Sequence, residues 1–64
     1  MIEQYLKWYG ISREELANML RISVRTLHRR LADPTTWTAG EINRLRGIFQ
    51  WTKEVTAEFV GRCT

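Results

Sequence analysis

With 64 residues the chain has room for one domain, and its single cysteine, Cys63, excludes an internal disulfide; His28 is the only other soft donor, which excludes a structural zinc site needing about four ligands. No apolar run approaches the roughly 20 residues of a membrane span, and the N-terminus opens on an amphipathic pattern in place of a signal peptide, so no membrane partner is expected and the expected compartment is the cytoplasm. Ten Lys and Arg against seven Asp and Glu give a net charge of +3, too small by itself to name a partner.

Apolar residues recur at helical spacing throughout, and the strict alternation of a half-buried strand is absent. Ile2, Tyr5, Leu6 and Tyr9 form one stripe of a first helix, with Trp8 at its edge and Gly10 ending it. Ser12 and Glu15 make a capping box, in which the serine oxygen takes a backbone N–H and the glutamate reaches back to the serine's own N–H, so a second helix starts there. It places Leu16, Ala17, Met19 and Leu20 inward and Arg13, Glu14 and Asn18 outward. Arg21, Ile22 and Ser23 are too few for anything but a tight turn. Ser23 caps a third helix whose apolar side is Val24, Leu27 and Leu31.

Asp33-Pro34 ends that helix, because proline disfavours the helical conformation in the residue before it. Thr35, Thr36 and Trp37 read as a loop. Thr38 and Glu41 form a second capping box, opening a fourth helix with Ile42, Leu45, Ile48 and Phe49 inward and weakened at Gly47 by up to about 1 kcal/mol relative to alanine. A last helix, capped by Thr52 and carrying Val55, Phe59 and Val60 inward, runs to Gly61. The seven aromatics read first as core, since each buries roughly 150–250 Å² and a chain this short needs efficient packing or a partner subunit. Cys63, beside the end of the sequence, reads as an incidental thiol in preference to an intersubunit disulfide.

The positive charge is concentrated. No acidic residue occurs between Leu16 and Ala32, while Arg21, Arg25, Arg29 and Arg30 fall within ten positions, and eight of the ten basic residues are arginine. Arginine's planar fork suits phosphate and guanine better than lysine's point charge does, although such a cluster taken alone equally describes a solvated helix face. The helical wheel separates the two possibilities. At 100° per residue Arg25 and Arg29 lie roughly 130–180° from the cluster of Val24, Leu27 and Leu31, with His28 on the flank, so the outward face is cationic along its length. A helix built this way suits a major groove, where phosphates on both walls attract its edges and base edges meet its centre.

At these residues the chain resembles the Cro and lambda-repressor-like family of helix-turn-helix proteins, also called Xre-type regulators. The family pattern has Leu-Ala in the first helix of the motif, Leu before the turn, an aliphatic residue and Ser after it, and an aliphatic residue in the second helix. Leu16, Ala17, Leu20, Ile22, Ser23 and Leu27 occupy those positions. The resemblance implies an all-α, compact five-helix bundle over residues 1–64, with the motif at about residues 13–32. It further implies a small phage or prophage repressor acting on double-stranded DNA in a bacterial host cell. Carried over by motif position, base contacts fall to Val24, Arg25, His28 and Arg29, and phosphate contacts to Arg13, Arg21, Ser23, Thr26 and Arg30. The family usually has glycine at the turn where this chain has Arg21, and a non-glycine residue with positive φ typically costs about 1 kcal/mol or more.

Because one such motif reads only a few base pairs, a homodimer on a palindromic operator is expected, with half-sites about 34–36 Å apart. Trp8, Trp51, Val55 and Phe59 are the candidate interface residues. No nucleophile has a neighbouring base and no glycine-rich phosphate loop occurs, so catalysis, a cofactor, a metal and a small-molecule ligand are not expected. The competing expectation is a protein-binding adaptor or antirepressor built on the same bundle.

Overall fold

The computed structural model describes residues 1–63, whose secondary structure is entirely helical: α1 (Ile2–Tyr9), α2 (Arg13–Leu20), α3 (Val24–Ala32), a short 3₁₀ turn (Pro34–Thr36), α4 (Ala39–Phe49) and α5 (Lys53–Arg62). Each of the last four helices starts where an oxygen-bearing side chain caps it. Ser12 and Thr38 accept the amides of Glu15 and Glu41, and both glutamates reach back to the cap amide. Ser23 and Thr52 accept from Thr26 and Val55. Among the described residues no helix is long and apolar enough to cross a membrane.

Three helices end alike. Gly10, Arg21 and Gln50 take left-handed φ values of 64°, 58° and 54°, and the next amide, of Ile11, Ile22 and Trp51, bonds back five residues to the carbonyl of Leu6, Ala17 and Arg46. That is the Schellman arrangement, and it usually brings an apolar residue after the cap back onto the helix. Ile11 and Ile22 are half-buried against the core and Trp51 is inside it. Burial of that following residue holds Arg21 and Gln50 in a conformation that glycine adopts more easily. The turn between α2 and α3 therefore has the geometry expected of glycine, with arginine in its place.

One core gathers Ile2 and Leu6 of α1, Leu16, Ala17 and Leu20 of α2, Leu27 of α3, Trp37, Leu45 and Phe49 of α4, Trp51, and Phe59 of α5. The radius of gyration, 10.8 Å, equals the roughly 11 Å expected of a globule this long, so no helix stands away from the rest. Aromatic rings run through this core in contact: Trp8 meets Tyr5 edge-on at 5.2 Å, Tyr5 meets Trp51 at 5.5 Å, Trp51 meets Phe59 at 5.0 Å and Phe59 meets Trp37 at 6.0 Å.

Several expectations change. The stretch read as a loop holds a 3₁₀ turn that begins at Pro34 and folds the chain back under α3, burying Trp37 in keeping with the reading of the aromatics as core; Asp33 starts the turn by accepting the Thr35 amide and hydroxyl. Met19 and Val60 are exposed, since Met19 lies roughly 105° around α2 from the centre of the face formed by Leu16, Ala17 and Leu20, and Val60 roughly 100° around α5 from Phe59. Tyr9 is at the rim, half-exposed, with its hydroxyl donating to the Phe49 carbonyl at 3.1 Å. α5 continues one residue past Gly61, to Arg62.

Trp51 and Phe59, read as core and also as candidates for an interface with a second subunit, are only 5% and 4% exposed within the single chain, Trp51 lying against the Tyr5, Phe49 and Phe59 rings and Phe59 also against Trp37. They are core residues. Val55 is half-buried against the same core, which leaves Trp8, 69% exposed with one edge on Tyr5, as the interface candidate open to solvent.

Candidate nucleic-acid interface

α3 divides as the wheel divides it. Leu27 is fully buried and Val24 and Leu31 pack against the core, whereas Arg25, His28 and Arg29 are exposed. Burying Leu27 contributes roughly 2 kcal/mol and fixes which side of the helix can face outward. Arg25 and Arg29 then sit one turn apart, about 6 Å along the axis. Neither has an ion pair or a side-chain hydrogen bond to any described residue, and the same holds for Arg13 and Arg21. These two stand at the ends of α2, about 12 Å apart along its axis. Four exposed guanidinium groups thus lie on α2, its turn and α3, with no carboxylate bonded to them.

Arg30 differs from the other four. It projects from the flank of α3 opposite His28, roughly 90° from the apolar side, and reaches the start of α4. There its Nε donates to Glu41 Oε1 at 3.0 Å and a terminal nitrogen donates to Oε2 at 3.3 Å. The side chains are 19% and 11% exposed. Burial alone pushes the Glu41 carboxyl up, but the bonds from the Thr38 amide and from Arg30, with the arginine's charge, outweigh it and hold the group below the usual glutamate range. Arg30, expected among the phosphate contacts, is thus engaged by Glu41 within the fold, unlike the other four arginines. The signal was in the sequence: a flank arginine on α3, and a capping-box glutamate with a second oxygen to offer.

Ser23 and Thr26 are engaged with each other. The Ser23 oxygen accepts the Thr26 amide at 3.1 Å and its hydroxyl donates to Thr26 Oγ1 at 3.0 Å, leaving the Thr26 hydroxyl proton free to donate outward. His28 and half-buried Val24 border an open groove of about 720 Å³ that runs between the end of α1 and the starts of α2 and α3. Its walls are mixed in charge, with Glu3, Glu14 and Glu15 against Lys7 and Arg13. His28 therefore marks the edge of the cationic surface, while Arg25 and Arg29 lie within it.

α4 supplies one residue that sequence reasoning passed over. Arg44 donates to the carbonyl of Leu20, the last residue of α2, at 3.1 Å. The final carbonyls of a helix lack partners within it, so this bond satisfies one of them and places a cation at the negative end of the helix dipole. Cys63 is half-buried against the core, and that burial raises its thiol above the ordinary range, which lowers its reactivity. The chain matches no known protein family, no curated protein and no solved structure, so a functional reading of this surface rests on its own geometry.

Proposed function

We propose that the chain is a sequence-specific regulator that binds double-stranded DNA through a lambda-repressor-like helix-turn-helix formed by α2 and α3, acting as a small repressor in the cytoplasm of a bacterial host. The observation that carries this reading is the unpartnered pair Arg25 and Arg29, exposed on one side of a helix whose other side is buried. α3 is nine residues long, about 13 Å, and the major groove is about 12 Å wide. Lying in that groove, the two arginines reach base edges about two steps apart, where the guanidinium fork matches guanine O6 and N7.

Arg13 and Arg21 meet phosphates on the walls of the groove, and the free amides at the tip of α3 add to the attraction for an anion there. Ser23 and Thr26 act first on each other, and the Thr26 hydroxyl retains one proton for a phosphate. His28 and Val24 touch the margin of the contacted bases. In this reading the chain acts by binding, with no catalytic step. One such unit reads few base pairs, which makes a homodimer on a palindromic operator part of the proposal.

Selection of duplexes from a random pool at two salt concentrations tests the reading. A consensus should emerge, and log K should fall linearly with log salt at about 0.9 per phosphate contacted. The double substitution Arg25→Ala with Arg29→Ala should abolish the consensus; unchanged duplex binding would show that α3 does not face DNA. The exposed Trp8 ring, beside half-exposed Tyr9, favours a second reading, a protein-binding adaptor or antirepressor. That reading predicts no retained duplex and loss of partner binding in Trp8→Ala.

A further inference from the structure

α4 grips both helices that flank the turn. Glu41, at its first turn, holds Arg30 near the end of α3 by two bonds, and Arg44, three residues on, holds the last carbonyl of α2. Residues three apart on a helix lie on one face, so both grips come from the same side of α4. Glu41 is itself fixed, because Oε1 also accepts the Thr38 amide at 2.9 Å. The α2–α3 turn has only three residues, one of them in a left-handed conformation, and the apolar packing of Leu16, Ala17 and Leu20 with Leu27 holds the two helices together without the directionality of a hydrogen bond.

We infer that Arg30, Glu41 and Arg44 are positioning residues that set the angle at which α3 is presented, so that Arg30 governs DNA specificity without touching DNA. The inference rests on the proposed DNA-binding reading and refines it. The alternative for Arg30 is an ordinary phosphate contact that Glu41 holds back. The two roles differ in what a neutral partner does. Glutamine at position 41 still serves as the third residue of a capping box, while it removes the charge that holds Arg30.

Binding is measured to a duplex selected from a random pool and to an unrelated duplex of equal length, across a salt series, with each variant at a temperature where its circular dichroism shows full helicity. The wild type comes first: no retained duplex and no salt dependence would overturn the DNA-binding reading itself, apart from any role of Arg30. With wild-type binding in hand, Glu41→Gln should weaken the selected duplex on the order of tenfold, the size of one lost bidentate base contact, and leave both the unrelated duplex and the salt slope unchanged. A gain in affinity with a steeper slope would mean that Arg30 had been released onto phosphate, and would overturn the inference, as would no change at all.

Arg30→Lys provides a second arm that keeps the charge and the fold but loses the fork. A positioning role predicts the same loss of discrimination between the two duplexes. A phosphate role predicts wild-type behaviour. A substitution that merely lowers stability leaves that discrimination intact among the folded molecules.

Discussion

The α2–α3 surface and the aromatic end of the bundle treat their most conspicuous side chains in opposite ways. Around α1, α4 and α5 the fold absorbs nearly everything: Tyr5, Phe49, Trp51, Phe59 and Trp37 are ring-to-ring, and even Tyr9 at the rim gives its hydroxyl to Phe49. Along α2 and α3, the side chains of Arg13, Arg21, Arg25 and Arg29 are bonded to no described residue. Side chains that folding uses are explained by folding. The four arginines are not, and their sequence neighbour Arg30, which is used, shows that the chain had carboxylates available to pair with arginine.

The sharpest test of this division lies within α3. Leu27→Ala removes a fully buried side chain and should cost about 2–5 kcal/mol, enough to unfold much of a domain this small. Arg25→Ala and Arg29→Ala should each change stability by less than about 0.5 kcal/mol on the same urea curves. Comparable costs at Leu27 and Arg25 would break the comparison. Next in size is Glu41→Gln, expected to lower stability by about 1–3 kcal/mol at neutral pH through loss of a half-buried charged bond. Since the folded carboxyl of Glu41 titrates below its unfolded counterpart, its contribution is full above the ordinary glutamate range and is lost as pH falls through the lowered folded value. Urea midpoints of wild type and E41Q should therefore converge in acid.

Arg21→Gly and Gln50→Gly sharpen the comparison further. Both relieve a left-handed non-glycine residue and should raise thermal stability by about 1 kcal/mol. In the proposed reading only Arg21→Gly weakens duplex binding, with the salt slope reduced by about one. Smallest is Gly47→Ala, where an added methyl meets no atom within 4 Å and should stabilise α4 by up to about 1 kcal/mol. A melting curve decides it.

What was legible in the sequence was local. Both capping boxes, the Ser23 and Thr52 caps, the end of α1 at Gly10 and the two faces of α3 depend on residues within one turn of each other, and all are present as read. What was missed depends on distance along the chain. Arg30 finds Glu41 eleven positions away, Arg44 finds Leu20 at twenty-four, and the 3₁₀ turn that carries Trp37 into the core stands where a plain loop was read. Trp51 and Phe59 could be core or interface while α5 is an isolated amphipathic helix, and the choice falls to core once Phe59 packs on Trp37 and Trp51, and Trp51 on Tyr5 and Phe49. At Arg21 a glycine rule gives way to burial of Ile22, a tertiary contact that no spacing reveals.

The unequal burial of the three tryptophans makes the chain its own optical probe. Trp37 and Trp51, enclosed by other rings, should emit at short wavelength and be shielded from iodide, while Trp8 should emit as a solvated indole and be quenched freely. Unfolding then shifts two indoles to the red. A second subunit or a protein partner seated on α1 shifts the remaining one to the blue, so folding and association are read in opposite directions from a single emission spectrum without any label.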